Sequence, residues 1–237
     1  MKFTEVVKKD ASGWKIYEII GMFIVFTVIL YNALVLKDSL IAVISAVCGI
    51  LYTIIAGKGR IYCYFFGLMG SGCYIWLSVM SALWGNALLY LAYYIPMQVH
   101  GIFSWSKNLK FESVEIVKTE LPSKDRLKYL TLGILGSILT IIILSYFNDK
   151  SPIIDGITTF LSILGMYFTV KRYIEQWIIW MVVNGLSFIM WLHLVMTGTK
   201  AYSTLVMWAV YFVLAFYFYF QWKKEIKSLS PSYKPVP

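Results

Sequence analysis

The run Glu175-Gln176-Trp177-Ile178-Ile179-Trp180-Met181-Val182-Val183-Asn184-Gly185, continuing to Trp191, decides how this chain is read. It lies inside a long apolar stretch. Trp177, Trp180, Asn184, Phe188 and Trp191 recur at steps of three and four residues, which puts them on one face of a single helix. Lipid-facing helix surfaces favour Leu, Ile and Val, and an amide in hydrocarbon needs a partner. A face of indoles with one amide among them suits a flat aromatic ligand with polar edges.

The rest of the chain has the composition of a membrane protein. Of its 237 residues, 59% are hydrophobic and only 14% are charged. A soluble domain of this size cannot hide that much apolar surface. Eight apolar segments, at about 15–36, 39–56, 61–80, 85–105, 127–147, 152–170, 174–196 and 201–222, each approach the ~20 residues needed to cross a bilayer. The expected fold is an all-α polytopic protein with eight transmembrane helices in a single domain, 1–237. Met1–Gly13 reads as a polar lead with a surface helix, with no cleavable signal peptide. The mixed-charge connection 106–126 reads as a cytoplasmic helix of no evident function.

Charge fixes an expected orientation. Of the 21 Lys and Arg residues, only Lys37, Lys150 and Lys200 fall in one set of alternate loops, and the other 18 lie on the opposite side. By the positive-inside rule both termini are cytoplasmic and the number of spans is even. The net charge of +9 is thereby explained without a nucleic-acid partner.

Gly49-Ile50-Leu51-Tyr52-Thr53 is echoed by Gly165-Met166-Tyr167-Phe168-Thr169, and Ser104-Trp105-Ser106-Lys107 by Gln221-Trp222-Lys223-Lys224. Spans two to four thus correspond to spans six to eight: repeat one at 39–105 and repeat two at 152–222. Both copies start on the same side, so an odd number of spans must join them. Span five, 127–147, is the linker of a 3+1+3 plan, and 15–36 is an extra N-terminal helix. Parallel repeats of this kind place a substrate site near the midplane between them.

Three spans supply candidates for that site. Span seven gives Trp177, Trp180 and Asn184. On span four, Tyr90, Tyr94 and Gln98 recur every four residues, with Tyr93, Met97 and His100 on a neighbouring face. Pro96 sits mid-span, where it frees a backbone carbonyl and can kink the helix. Span eight adds Trp208 and Tyr211; span three adds Tyr74, with Gly67 and Gly70 for close packing. Trp14, Trp84, Trp105 and Trp222 lie near span ends and read as an interfacial belt. His100, His193 and the three cysteines read as structural, and no metal or cofactor set is visible.

All twelve acids lie in loops, tails or near span ends. No carboxylate stands at mid-membrane, where ion-coupled carriers place one. There is no Gly-rich phosphate loop, no GxSxG and no HExxH, so neither ATP drive nor catalysis is encoded recognisably. Uncoupled facilitated diffusion remains, for a substrate held on ring faces.

The segment Glu175–Asn184, Tyr93-Tyr94-Ile95-Pro96-Met97-Gln98 and Trp105-Ser106-Lys107-Asn108 resemble the PnuC family of bacterial nicotinamide riboside transporters, over about residues 40–225. The resemblance implies an inner-membrane facilitator with a fold similar to two fused semi-SWEET units. It implies uptake of unphosphorylated nicotinamide riboside, trapped by a cytosolic riboside kinase, and a homotrimer. It makes Trp177, Trp180, Asn184, Tyr94 and Gln98 substrate-site residues. Related members carry thiamine or riboflavin, and the motifs are largely shared. A sugar carrier and a non-transporting scaffold are the readings from outside the family.

Overall fold

A computed structural model describes residues 14–36, 40–80, 84–110, 113, 115–148, 151–197 and 202–228. Met1–Gly13 and Lys37 lie outside them, with the expectations placed there. Among the described residues the chain forms eight helices: α1 (Ile16–Leu36), α2 (Leu40–Gly57), α3 (Cys63–Met80), α4 (84–106), α5 (Ser123–Tyr146), α6 (Pro152–Lys171), α7 (Gln176–Met196) and α8 (Tyr202–Ser228). Helix α8 runs past the apolar segment 201–222 into a charged extension. By length and composition, α5, α6 and most of α7 and α8 are each sufficient to cross a membrane. The outer surface carries large exposed side chains throughout, among them Phe23, Leu34, Leu130, Ile142 and Phe216. Such a surface is stable only against lipid or another protein. The chain is a multi-pass membrane protein.

The helices pack as α2 on α3, α6 on α7, and α7 on α8, with α4 against α6 and α8 against α2. Helix α5 packs chiefly on α6, where Gly133, Gly136 and Ser137 let the backbones approach.

The belt assignment of Trp105 and Trp222 is corrected. Both side chains are fully buried. The Trp105 indole N–H donates to the Thr169 carbonyl at 3.0 Å, and that of Trp222 donates to the Gly57 carbonyl at 2.6 Å. Each acceptor lies in the last turn of a helix, where carbonyls lack their usual partners; Thr169 O also accepts the N–H of the capping residue Arg172 at 3.0 Å. The two tryptophans are thus caps that cross between segments, and burial follows from that role. Each also meets an aromatic edge to face: Trp105 meets Tyr64 at 5.0 Å, and Trp222 meets Trp177 at 5.7 Å. Trp14 differs: it is partly buried beneath Lys58, whose Nζ lies 4.4 Å from its ring centre.

Among its described residues, the connection 107–122 forms no helix where one was expected, and 115–122 carries isolated bridges. It makes isolated bridges, Arg60 with Glu115 and Thr119 with Tyr173, to the α2–α3 and α6–α7 turns. Each turn carries one left-handed residue, Gly59 at φ 73° and Arg172 at φ 65°. For arginine that conformation is strained. It is held because the Arg172 carbonyl accepts the Thr119 N–H at 3.1 Å and its Nη1 donates to the Val117 carbonyl at 3.0 Å.

Trp222→Phe should cost about 1 kcal/mol or more, because it leaves the Gly57 carbonyl short of a donor, and Trp105→Phe should cost less, because the Thr169 carbonyl keeps the Arg172 N–H at 3.0 Å. The readout is the thermal midpoint of the purified protein in detergent. Unchanged midpoints for both would show that the indole bonds do not hold the bundle.

Candidate functional site

The interior is built where small residues let rings approach. Gly165 and Thr169 of α6 receive Trp180 of α7: a side chain at Gly165 would meet the indole, whose Nε1 lies 3.4 Å from Thr169 Oγ1. Gly49 of α2 receives the Tyr211 hydroxyl from α8. In both helices the threonine one turn later bonds back to that glycine's carbonyl, Thr53 at 3.0 Å and Thr169 at 2.9 Å. The bond keeps each hydroxyl from standing unpaired in an apolar wall.

Helix α4 departs from α geometry where the site residues fall. Residues Tyr90–Tyr94 form a π-helical turn, with the Ile95 N–H bonded to the Tyr90 carbonyl. Pro96 follows at once and has no N–H to give, so the ladder is widened instead of sharply broken. Tyr90 and Tyr94 stack with ring centres 4.7 Å apart, and Tyr74 of α3 lies 4.4 Å from Tyr90. Tyr211 is an electrostatic neighbour of Tyr90, and Tyr52 of Tyr94. Tyr90, Tyr94 and Tyr211 are each half-buried.

Several polar atoms here have no protein partner. Gln98 is 4% exposed; its Nε2 donates to Ser71 Oγ at 2.7 Å, but its Oε1 is buried and unbonded. The indole N–H groups of Trp208 and Trp177 are likewise buried without an acceptor. Asn184 is also buried, at 6% exposed. Buried polar groups are nearly always satisfied, so such a set points to a missing polar ligand or water.

The structure separates the eight sequence-predicted residues into neighbourhoods. Tyr90, Tyr94 and Tyr211 form one cluster, with Trp208 5.9 Å from Tyr211. Trp180 lies against α6. Trp177 is 3% exposed and packs on Phe218 and Trp222, in the aromatic layer at the basic end. On the neighbouring face of α4, Tyr93 donates to the Ile163 carbonyl at 2.6 Å, while His100 is exposed. Sequence reasoning missed Ser71, Thr169, Tyr52 and Met166, the last two joined by a 3.7 Å hydroxyl–sulfur contact. The repeated Gly-x-x-x-Thr marked as similar the two segments that hold Tyr52, Met166 and Thr169, without indicating that they form walls.

An apolar groove of about 900 Å³ lies elsewhere, between α5, α6 and α7, lined by residues such as Ile134, Leu161 and Val182. It contains none of the eight residues, and its polar lining includes Glu120, Arg126 and Glu175, with Arg126 paired to both carboxylates.

The helical bundle, its apolar outer surface and its aromatic core define an all-helical, multi-pass membrane protein. The chain belongs to the family described as Nicotinamide mononucleotide transporter, whose model matches residues 39–224, and it is accordingly a transporter and not an enzyme. It is 29% identical to the nicotinamide riboside transporter PnuC of Neisseria mucosa, over 91% of this chain and 84% of that one. To the nicotinamide riboside transporter PnuC of Haemophilus influenzae it is 27% identical, over 91% and 93%. A crystal structure of the vitamin B3 transporter PnuC superposes with a TM-score of 0.79 at 29% identity, over 92% of this chain and 95% of that one.

Among the described residues, Ser71→Ala removes the one hydrogen-bond partner of the Gln98 amide. It should lower stability by about 1–3 kcal/mol, the cost of a buried unpaired donor. An unchanged denaturation midpoint in detergent would mean that solvent already reaches this amide.

Proposed function

We propose that this protein carries unphosphorylated nicotinamide riboside across the bacterial inner membrane by facilitated diffusion. The observation that carries the reading is the pair of buried, unsatisfied polar atoms on Gln98 and Trp208, on the two helices that carry the rings of Tyr90, Tyr94 and Tyr211. A pyridinium ring gains about 0.5–2 kcal/mol on each aromatic face it meets. Its carboxamide and ribose hydroxyls supply both donors and acceptors for the orphaned atoms. In this reading Trp180, Tyr90, Tyr94, Tyr211 and Trp208 hold the ring system, and Gln98 and Asn184 bond its polar edge. Trp177 forms the floor toward the basic end.

The family's description names a mononucleotide, whereas the named relatives are riboside transporters. The difference is one phosphate. A phosphate held at depth calls for Arg or Lys. The described cations of α2–α4 and α6–α8 stand at the helix ends and the turns. The absence of a mid-span cation favours the riboside.

Orientation, assembly and drive belong to the same proposal. The 18-to-3 division of basic residues supports cytoplasmic termini. The matched pairs Tyr64–Trp105 and Trp177–Trp222 support two parallel three-helix units joined by α5, with α1 outside them. With no carboxylate at mid-membrane to couple an ion, net uptake needs a sink, which a cytosolic riboside kinase would supply. The exposed apolar faces are compatible with a homotrimer. Thiamine or riboflavin is the competing substrate within the family.

Calorimetric titration of the purified protein tests the reading, using nicotinamide riboside, its phosphorylated form and thiamine. Saturable binding of the riboside alone is expected. Trp180→Ala or Asn184→Ala should weaken it by about tenfold or more, the value of one to two such contacts, while elution stays monodisperse. Thiamine binding in its place would change the vitamin. Wild-type affinity in either variant would sink the site.

A further inference from the structure

The groove of about 900 Å³ between α5, α6 and α7 is set apart from the aromatic interior by its shape and by its charge. Buried Gly133, Ser137 and Leu164 line its depth, and exposed Ile134, Ile138 and Val182 line its rim. A Cβ on Gly133 would stand 3.6 Å from the Leu161 side chain, an ordinary contact, so the cleft is open there because α5 presents nothing large. From Leu130 to Ile141 on α5, and from Phe168 back to Ile157 on α6, the lining spans about 17 Å at 1.5 Å per residue. Half of a ~30 Å hydrocarbon core is about 15 Å. The groove thus runs from the basic end through one leaflet, whereas α5 continues to Tyr146 and α7 to Met196. A helix of a second copy would lie along the full length of these helices; an acyl chain needs one leaflet.

All the charge in the lining stands at the mouth: Arg126 and Lys223, with Glu120 and Glu175. Arg126 and Glu120 are exposed, and so is Lys223, whose Nζ lies 5.5 Å from the ring centre of Tyr219, another lining residue. Arg126 approaches Glu120 at 3.7 Å and Glu175 at 3.6 Å. Both separations exceed a hydrogen bond, so neither carboxylate holds the guanidinium as a fork. Glu175 instead accepts the Leu121 N–H at 2.9 Å. Two cations beside two carboxylates make a mouth with no net charge. Its complement is a headgroup that carries both signs, a phosphate and an amine.

We propose that this groove binds one phospholipid of the leaflet at the basic end, with an ethanolamine-type headgroup. The phosphate sits on Arg126 and Lys223, the ammonium on Glu120, and an acyl chain lies in the cleft. Arginine and lysine at a membrane interface take a lipid phosphate, and the carboxylate beside them selects the amine over a headgroup that is only anionic. Helix α5 packs chiefly on α6, so the chain bridges α5 to α7 and holds the linker helix in place. The site stands apart from the ring cluster and does not depend on which substrate the protein carries.

Native mass spectrometry and thermal unfolding of the full-length protein in detergent test the site. The probes are dioleoyl phosphatidylethanolamine, dioleoyl phosphatidylglycerol and free phosphoethanolamine, which has no chains. One phosphatidylethanolamine per chain is expected at saturation, with a raised thermal midpoint. Phosphatidylglycerol should bind about tenfold more weakly or worse, the value of one charge-assisted hydrogen bond, and phosphoethanolamine should not bind at the same concentration. Arg126→Gln and Lys223→Gln should each weaken retention by about tenfold on the same grounds. Ile178→Trp, on the exposed rim, should fill the groove and abolish retention while elution stays monodisperse. Equal binding of the two lipids would overturn the headgroup pairing. Retention that never saturates at one lipid, or that is unchanged in Ile178→Trp, would overturn the site. Should Arg126→Gln fail to fold, Lys223→Gln and Ile178→Trp decide. Cross-linking between chains through Ile138→Cys in native membranes would give the groove to a second copy and refute the proposal.

Discussion

Two indole hydrogen bonds, Trp105 to the Thr169 carbonyl and Trp222 to the Gly57 carbonyl, hold the architecture in register. In a bilayer the polar groups of the backbone must be satisfied within the protein, and helix ends are where that is hardest. Here each of two helices ends against an indole from a helix that is distant in sequence. The same bonds fix the depth at which α4 meets α6 and α8 meets α2. That depth sets where Tyr90, Tyr94 and Tyr211 lie relative to Trp180.

Close approach of rings to glycine does the rest of the positioning. Gly101 lies under Tyr64, Gly57 under Phe218, Gly67 under Tyr52 and the Gln98 amide, and Gly165 under Trp180. Any side chain at these places would displace a ring. Dispersion and close contact, with little help from hydrophobic burial, hold helices together in lipid, so small residues opposite large flat ones are an economical arrangement. They also leave the interior lined with ring faces and edges, which a cationic heteroaromatic substrate can use. The π turn at Tyr90–Tyr94 belongs to the same design: Pro96 withholds a donor, and the widened turn keeps two tyrosines stacked toward the interior.

The basic end shows how charge is handled in this molecule. Lys58 is buried against Glu18 at 2.6 Å, and Glu18 also accepts from Tyr217 at 2.9 Å. Glu225 gathers Lys110 and Lys118. The cations that give the orientation signal are thus partly consumed in ion pairs that tie α1 to the α2–α3 turn and the 107–122 connection to α8. The positive-inside pattern counts residues and is blind to that pairing.

The sequence alone determined the membrane class, the eight helical segments, the pairing of similar segments and the aromatic character of the interior, because each is a matter of composition or of spacing along one helix. It also singled out Gln98, Asn184, Trp180 and the tyrosines, since an amide or a ring face in an apolar run is conspicuous without any partner in view. The absence of a helix among the described residues of 107–122 was not legible. Its residues bond to Gly59, Arg172 and Glu175, groups remote in sequence, and its local propensities say nothing about them. The role of Trp105 and Trp222 was hidden for the same reason: a tryptophan near a span end reads as a belt residue until the carbonyl it caps is known. Only tertiary structure decided which polar atoms are spent and which are free, because satisfaction of a hydrogen bond belongs to a pair of residues brought together by folding.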